Sequence, residues 1–346
     1  MKCQSPSLPR LSLRAKRSNP RHGARRHRAT AKLWPLLVAL LASLASSAHA
    51  AGVLERIHAE GSLHCGAAER PGAADTPSEG APAGVAVDIC RAVAIAVLGP
   101  AAKVSFTIHE SPHSYDGVRQ GAEELAFLSG GEIAEQELAP FVVPGPTVLI
   151  STVAVMVPET SQVHRLADLS GQTVCLMIGS TAQRALESAV AAQHLTISRL
   201  TFEEDVEMLD AYNIGSCGAA VGEATYLADM RANPGVRRLT SRLLPDVLSA
   251  EPIIAATPQS DGAWAAAVAW VIAALLLADA PPDAWQAAAP PVRHIAGLRP
   301  EWRADVISAV GSYGAIIRRD LSDRLGLAPG PNALWPSGML LPPMVR

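Results

Sequence analysis

The sequence predicts an α/β protein of two doubly wound lobes joined by a hinge of two strands. Three observations carry that expectation. Strand-length apolar runs alternate with helix-patterned segments in the order βαβα, a long β-rich run, βαβα again, a second β-rich run, then helices. Glycine-containing turns follow the strands at Ser129-Gly130-Gly131, Gly179-Ser180-Thr181 and Gly222-Glu223. The chain has 346 residues, enough for two domains.

The first fifty residues differ from the rest. They hold ten of the 29 Lys and Arg and no acid, which leaves 19 basic against 32 acidic residues in the remainder. A basic Met1–Ala31 segment precedes the apolar core LWPLLVALLASLAS (Leu33–Ser46) and the small-residue site Ala48-His49-Ala50. That order is a secretory signal peptide, and the core is short for a membrane span. Residues 1–50 are therefore set aside as a signal peptide, and export from a bacterium would place the chain in the periplasm. No cysteine follows the cut for a lipid anchor. The acidic remainder argues against nucleic acid and against attraction to anionic lipid.

The elements follow in order. Val53–Glu60 reads as a short helix stopped by Gly61, and Ser62–Gly66 as a strand. Ala67–Pro82 is Pro-, Gly- and Ala-rich loop. Val87–Leu98 has helical spacing, with Asp88 as its cap, and Val104–Ile108 alternates as a strand. Tyr115–Gln120 is a short helix ended by Gly121, and Leu125–Leu128 a strand. Thr147–Val157 and Val247–Ala256 are the β-rich runs expected to cross between lobes. Between them lie strands at Val174–Ile178, Ile197–Phe202 and Ala219–Val221, and helices at Ala182–Ala192, Asp205–Asn213 and Ala224–Ala232. Ala265–Ala278 is apolar enough for a buried helix and too short for a span. Asp305–Asp320 is amphipathic, and Pro329–Arg346 is a Pro- and Gly-rich tail. Trp264, Trp270, Trp285 and Trp302 read as packing residues.

The stretch TVCLMIGSTAQRALES (Thr173–Ser188) organises the chain. It reads as strand, tight turn and helix. Gly179 permits the sharp turn, and Ser180 or Thr181 can cap the helix. The free N–H groups of that helix start favour an anion such as a carboxylate. Ligands of doubly wound sheets bind beyond the carboxyl ends of the strands, where Ser129, Gly130, Gly179, Ser180, Thr181 and Glu223 all fall.

Without the leader four cysteines remain, allowing three pairings. In an oxidising compartment the expectation is Cys65–Cys90 and Cys175–Cys217, one disulfide in each lobe, with buried free thiols as the alternative. No Cys–His spacing resembles a zinc site, and His109 and His113 flank a proline in a loop, so no metal site is expected.

The residues from about 53 to 346 resemble the general L-amino-acid-binding proteins of bacterial ABC importers, within the family 3 extracellular solute-binding proteins. The matching words are Leu63-His64-Cys65-Gly66, VDICRAVAIAVLG (Val87–Gly99), VCLMIGST (Val174–Thr181), GSC (Gly215–Cys217), SAEP (Ser249–Pro252), AVGSYG (Ala309–Gly314) and the closing NALWPSGMLLPPMVR (Asn332–Arg346). The resemblance implies a type II periplasmic binding protein fold. Lobe 1 would be residues 51–152 plus 253–346, and lobe 2 residues 153–252, closing by a hinge over one small solute. It implies an inner-membrane ABC permease as partner, a monomer, and no cofactor.

In that family an arginine of the first lobe and the Gly-Ser/Thr-Thr turn hold the α-carboxylate, and an acid of the second lobe holds the α-ammonium. The turn matches Gly179-Ser180-Thr181. The acid falls on Glu223, one methylene longer than the usual aspartate, and able to accept from an ammonium. The arginine does not match. Its position within LSGGEIAEQELAP (Leu128–Pro140) aligns with Ala134, and no Arg or Lys lies between Gln120 and His164. Losing a charged hydrogen-bonded pair there would weaken carboxylate binding by about 2–3 kcal/mol, roughly a hundredfold. Arg70, Arg91 and Arg119 are the arginines that could stand in from elsewhere in the chain.

Three function classes follow. The first is a periplasmic solute receptor delivering an amino acid or a related cation-bearing solute to a permease. The second is a diverged non-transport relative, an interaction or sensing protein with a lost or altered site. The third is an enzyme, for which no Ser/His/Asp set or carboxylate pair stands out, so no catalytic residue is assigned.

Overall fold

A computed structural model describes residues 52–76, 80–109, 114–134, 141–232, 239–280 and 295–341. The leader lies outside these residues, as do Trp285, His113 and the last five residues of the closing run.

The chain enters through α1 (Val53–Glu60), which stops at Gly61 in the left-handed region, and β1 (Ser62–Ala68). α2 (Val85–Leu98) follows, buried along most of its length, then β2 (Lys103–His109), α3 (Asp116–Gln120) and β3 (Leu125–Ser129). α4 is one short turn, Gly130–Ala134. The long strand β4 (Val142–Pro158) leads to β5 (Thr173–Met177), α5 (Thr181–Ala192), β6 (Ser198–Phe202), α6 (Asp205–Asn213), β7 (Ala219–Glu223) and α7 (Ala224–Ala232). β8 (Ser241–Leu243) and β9 (Ser249–Pro258) return the chain to α8 (Gly262–Leu277), α9 (Trp302–Val310) and α10 (Tyr313–Ile317).

The strands lie in the order β2-β1-β3-β9-β4-β7-β5-β6, with β8 paired to β4. β1 pairs in parallel with β2 on one side and β3 on the other. β5 does the same with β6 and β7. Each half therefore has its first strand in the middle, with the chain winding outward from it in both directions. That reversal opens a crevice at the carboxyl ends of the strands. β4 and β9 lie between the halves as an antiparallel pair, from Val142↔Pro258 to Val153↔Ser249.

Beside a smaller core that includes Val118, Ala126, Leu128 and Ala256, the first half has a large one built on β1, α2, α8 and α9. Trp264 is fully buried there, and its indole N–H donates to the Glu124 carbonyl at 2.7 Å. α8 is apolar on every side, and Val268, Val271, Ile272 and Leu275 along it are buried. Burying each such side chain is worth about 1.5–3 kcal/mol relative to exposure. The second half has two cores, one on each face of β5–β7. One contains Val174, Leu176 and Leu186, the other Met208, Tyr212 and Leu227. Two disulfides hold the halves internally, Cys65–Cys90 with Cα atoms 6.4 Å apart and Cys175–Cys217 at 5.6 Å.

Three local expectations differ. The amphipathic run Asp305–Asp320 is not one helix. Gly311, at φ 85°, ends α9, and the Ser312 hydroxyl accepts from the Ala315 N–H to start α10. Asp88 is not a cap, since α2 begins after Gly84; it pairs with Arg319 of the C-terminal segment. Where only the turn Ser129-Gly130-Gly131 was expected, residues 130–134 form a helical turn because Ser129 and Glu132 make a reciprocal capping box. The Ser129 N–H donates to Glu132 Oε2 at 2.8 Å, and the Glu132 N–H donates to Ser129 Oγ at 3.2 Å. The Ser-x-x-Glu spacing was visible in the sequence as the signal for that turn.

Candidate functional site

The carboxyl ends of β5, β6 and β7 surround a cavity of about 350 Å³. Ser180, Thr181 and Glu223 line it, together with Tyr226 and a floor that includes Met177 and Met208. Glu203, Glu204 and Asp205 stand at its rim and are exposed.

The turn is built as its residue types require. Gly179 has φ 69°, a conformation in which a side chain would be strained. Ser180 is the N-cap of α5: its hydroxyl accepts from the Gln183 N–H at 3.1 Å and donates to the Met177 carbonyl at 2.7 Å. The Gly179 N–H is taken by Gln183 Oε1 at 2.7 Å, so it is not open to a ligand. Arg184 folds back over the turn onto the Gly179 carbonyl and the Thr181 hydroxyl. The anion donors of this corner are therefore the first N–H groups of α5, at Thr181 and Ala182, which helix geometry leaves without intrahelical partners.

Glu223 ends β7. Its Oε2 accepts from Ser151 Oγ of β4 at 3.1 Å and from Arg70 Nη1 at 2.6 Å. Arg70 stands just past the carboxyl end of β1, in the other half of the molecule. The pair is only part-buried, with 14% of the arginine and 24% of the glutamate side chain exposed. A second contact lies beside it, as the Tyr226 hydroxyl donates to the Glu69 carbonyl at 3.0 Å. Burial, then the charge of Glu223, pushes the Tyr226 phenol up to about 12, so it stays a donor at neutral pH.

The structure does not bring Ser129 and Gly130 to the cavity. The Ser129 hydroxyl and N–H are both used in the capping box, and a side chain at Gly130 would meet Pro252 of β9. The neighbouring Gly131 N–H donates to Glu251 Oε1 at 2.9 Å. Glu132 also accepts from the Ser114 hydroxyl. Of the three arginines that could stand in, Arg91 lies 3.8 Å from Asp88 and Arg119 bonds to Asp116, and only Arg70 reaches Glu223. Ser151 and Tyr226 were missed by sequence reasoning, whereas Arg70 was one of the three arginines it offered without being able to choose among them. The one signal was that Arg70 follows a parallel strand at its carboxyl end.

His109 Nε2 lies 2.7 Å from Glu123 Oε1, and burial raises the Glu123 carboxyl above its ordinary range. Among the described residues no cluster of His, Cys, Asp or Glu has the makings of a metal site. None of their helices is long and apolar enough to cross a membrane.

No family model matches the chain. It is 27% identical over 325 residues to the general L-amino acid-binding periplasmic protein AapJ of Rhizobium johnstonii, covering 87% of this chain and 94% of that one. It is also 27% identical over 332 residues to the glutamate/glutamine/aspartate/asparagine-binding protein BztA of Rhodobacter capsulatus, covering 87% and 95%. The chain's curated homologues are amino-acid ABC transporter-binding proteins. Its fold matches a solved periplasmic binding protein of Brucella ovis that has glutathione bound, at a TM-score of 0.69 and 24% identity, over 86% of this chain and all of that one. The two halves described above are the two lobes of that type II fold, with β4 and β9 as the hinge strands.

Proposed function

We propose that the protein is the periplasmic solute-binding component of an amino-acid ABC importer, and that the cleft between its lobes takes one small solute by hinge closure. The observation that carries this reading is Glu223. It projects from the end of β7 beside a lined cavity, the open N-terminus of α5 lies on the same cavity, and a residue of the opposite lobe faces it. Lobe 1 comprises residues 51–152 and 253–346, and lobe 2 residues 153–252, the boundaries crossing β4 and β9 where Ile150 pairs with Pro252 and Thr152 with Ala250. Glu223 receives the α-ammonium, the first N–H groups of α5 receive part of the carboxylate, and Tyr226 closes one side. The acidic rim at Glu203, Glu204 and Asp205 repels a net negative solute, so the ligand is a neutral or basic amino acid. The residues 1–50 direct export, the partner is an inner-membrane permease, and the receptor works as a monomer without chemistry of its own.

The test is a melting-point screen of the purified protein against the L-amino acids, with isothermal titration of those that bind. A solute at a hundred times its dissociation constant stabilises the protein by about 2.7 kcal/mol. Glu223→Gln removes the carboxylate that holds the ammonium and weakens binding at least tenfold. A folded wild type that no amino acid shifts would sink the reading.

A further inference from the structure

The resemblance leads one to expect the arginine of the site at position 134, where this chain has alanine. The side chain of Ala134 offers no donor, and the N–H groups of Ser129 and Gly131 at the start of the same turn are bound to Glu132 and Glu251. In lobe 2 the Gly179 N–H is held by Gln183, and Arg184 is spent on the turn itself. The cation in contact with the acid of the cleft is Arg70, from the loop after β1. We propose that Arg70 reads the carboxylate of the solute, doing from that loop what residue 134 cannot. The inference rests on the amino-acid-binding reading above.

The geometry has the right sense. An α-amino acid carries a carboxylate and an ammonium side by side. Arg70 and Glu223, in contact at 2.6 Å, present a cation and an anion side by side. The two dipoles pair head to tail, with the ammonium against Glu223 and the carboxylate against Arg70. The contact with Glu223 uses Arg70 Nη1. A guanidinium carries further N–H donors in a fixed fork, suited to a carboxylate. The first N–H groups of α5 complete the grip.

The loop that delivers Arg70 is held firmly. Its own N–H donates to the Ala74 carbonyl at 2.8 Å, and its carbonyl accepts from Ala73 and Ala74. The Gly72 N–H donates to Asp75 Oδ2 at 3.1 Å, and the same oxygen accepts from Arg324 of the C-terminal segment. Gly72, at φ 75°, lies so close to Leu321 and Leu325 that a side chain would collide with them. The C-terminal segment thus clamps the turn that aims the arginine, as a second supporting layer must for a precise site.

The experiment compares each amino acid with its decarboxylated amine, L-lysine with cadaverine and L-leucine with 3-methylbutylamine, by titration calorimetry on wild type, Arg70→Gln, Arg70→Lys and the double variant Arg70→Glu/Glu223→Arg. Wild type should prefer an amino acid over its amine by about a hundredfold, the ratio expected of a charged hydrogen-bonded contact. Arg70→Gln should collapse that ratio to tenfold or less through loss of amino-acid affinity, and Arg70→Lys should recover part of it. The charge-reversed pair should regain wild-type melting temperature without regaining the ratio. An unchanged ratio in Arg70→Gln, or a reversed pair that restores it, would make Arg70 a strut between lobes and overturn the inference. Wild type binding no amino acid refutes the receptor reading directly. If Arg70→Gln then binds the amines, Arg70 is a counter-ion occupying Glu223, and the inference fails separately.

Discussion

The two lobes wind their first three strands in the same way, yet they treat the ends of those strands differently. In lobe 2 the ends of β5 and β7 present Thr181, Glu223 and a helix N-terminus to a cavity. In lobe 1 the polar groups at the end of β3 are taken by neighbours: Ser129 and Glu132 bond to each other, and the Gly131 N–H donates to Glu251 of β9. The charged group of lobe 1 comes from the end of β1 instead, on a turn anchored by the C-terminal segment. What is common to both is the crevice that the winding creates. Any strand end that opens on it can supply a functional side chain, so the position in the chain can move while the position in space stays.

That contrast can be broken most severely from within lobe 1. Trp264→Ala empties the centre of its core and costs about 3–5 kcal/mol. Hydrogen exchange should rise first in β1, α2 and α8, and later in β5 and β7.

The C-terminal segment that packs on the Arg70 turn gives the next largest effect. Asp320 is buried against Asp88 and beside Arg319 and Arg324, and burial, then the charge of Asp88, pushes its carboxyl up to about 7. Its folded value lies above the unfolded one, so its contribution to stability is complete below about pH 4 and is lost as pH rises through about 7. Asp320→Asn removes that dependence and raises stability at pH 8 by up to about 4 kcal/mol, read from melting curves between pH 4 and 8. A variant whose melting temperature tracks wild type across that range would disprove the linkage.

Lobe 2 has less buried aromatic mass and leans more on its disulfide. Cys175→Ala/Cys217→Ala should cost about 3 kcal/mol, and reducing agent should lower the melting point of wild type by more than that of the variant, which keeps Cys65–Cys90. The smallest effect sharpens the comparison at the turn itself. Ser180→Ala removes the cap of α5 and costs about 1 kcal/mol in chemical denaturation. Glu132→Gln, at the matching corner of lobe 1, should change solute affinity less than twofold.

Much of lobe 2 was legible because local signals agree there. Asp205–Asn213 and Ala224–Ala232 form helices over the residues that their composition marks, and Ser180 caps α5 as a hydroxyl before an alanine-rich run does. The region around 311 was harder to read. Its helical period continues through Gly311 and Ser312, and only the backbone angle at the glycine shows the break. The short strand β8 was missed because Ser241–Leu243 carries too few residues to make a pattern.

By itself, the sequence determined the order of most elements, the alternation that makes two wound halves, and the turn at Gly179-Ser180-Thr181; it allowed three cysteine pairings, and Glu223 as the acid of the site is what the resemblance implies. The elements and the turn depend on neighbours a few residues apart or on apolar periodicity, which a linear reading samples directly, whereas the disulfides join residues 25 and 42 positions apart. The tertiary structure alone decided which donors remain open and which arginine faces Glu223. The Gly131 N–H is consumed by a contact 120 residues away, and Arg70 meets Glu223 across 153 residues of chain. Hydrogen-bond capacity is assigned by distance in space, and the winding of two sheets about one crevice sets that distance.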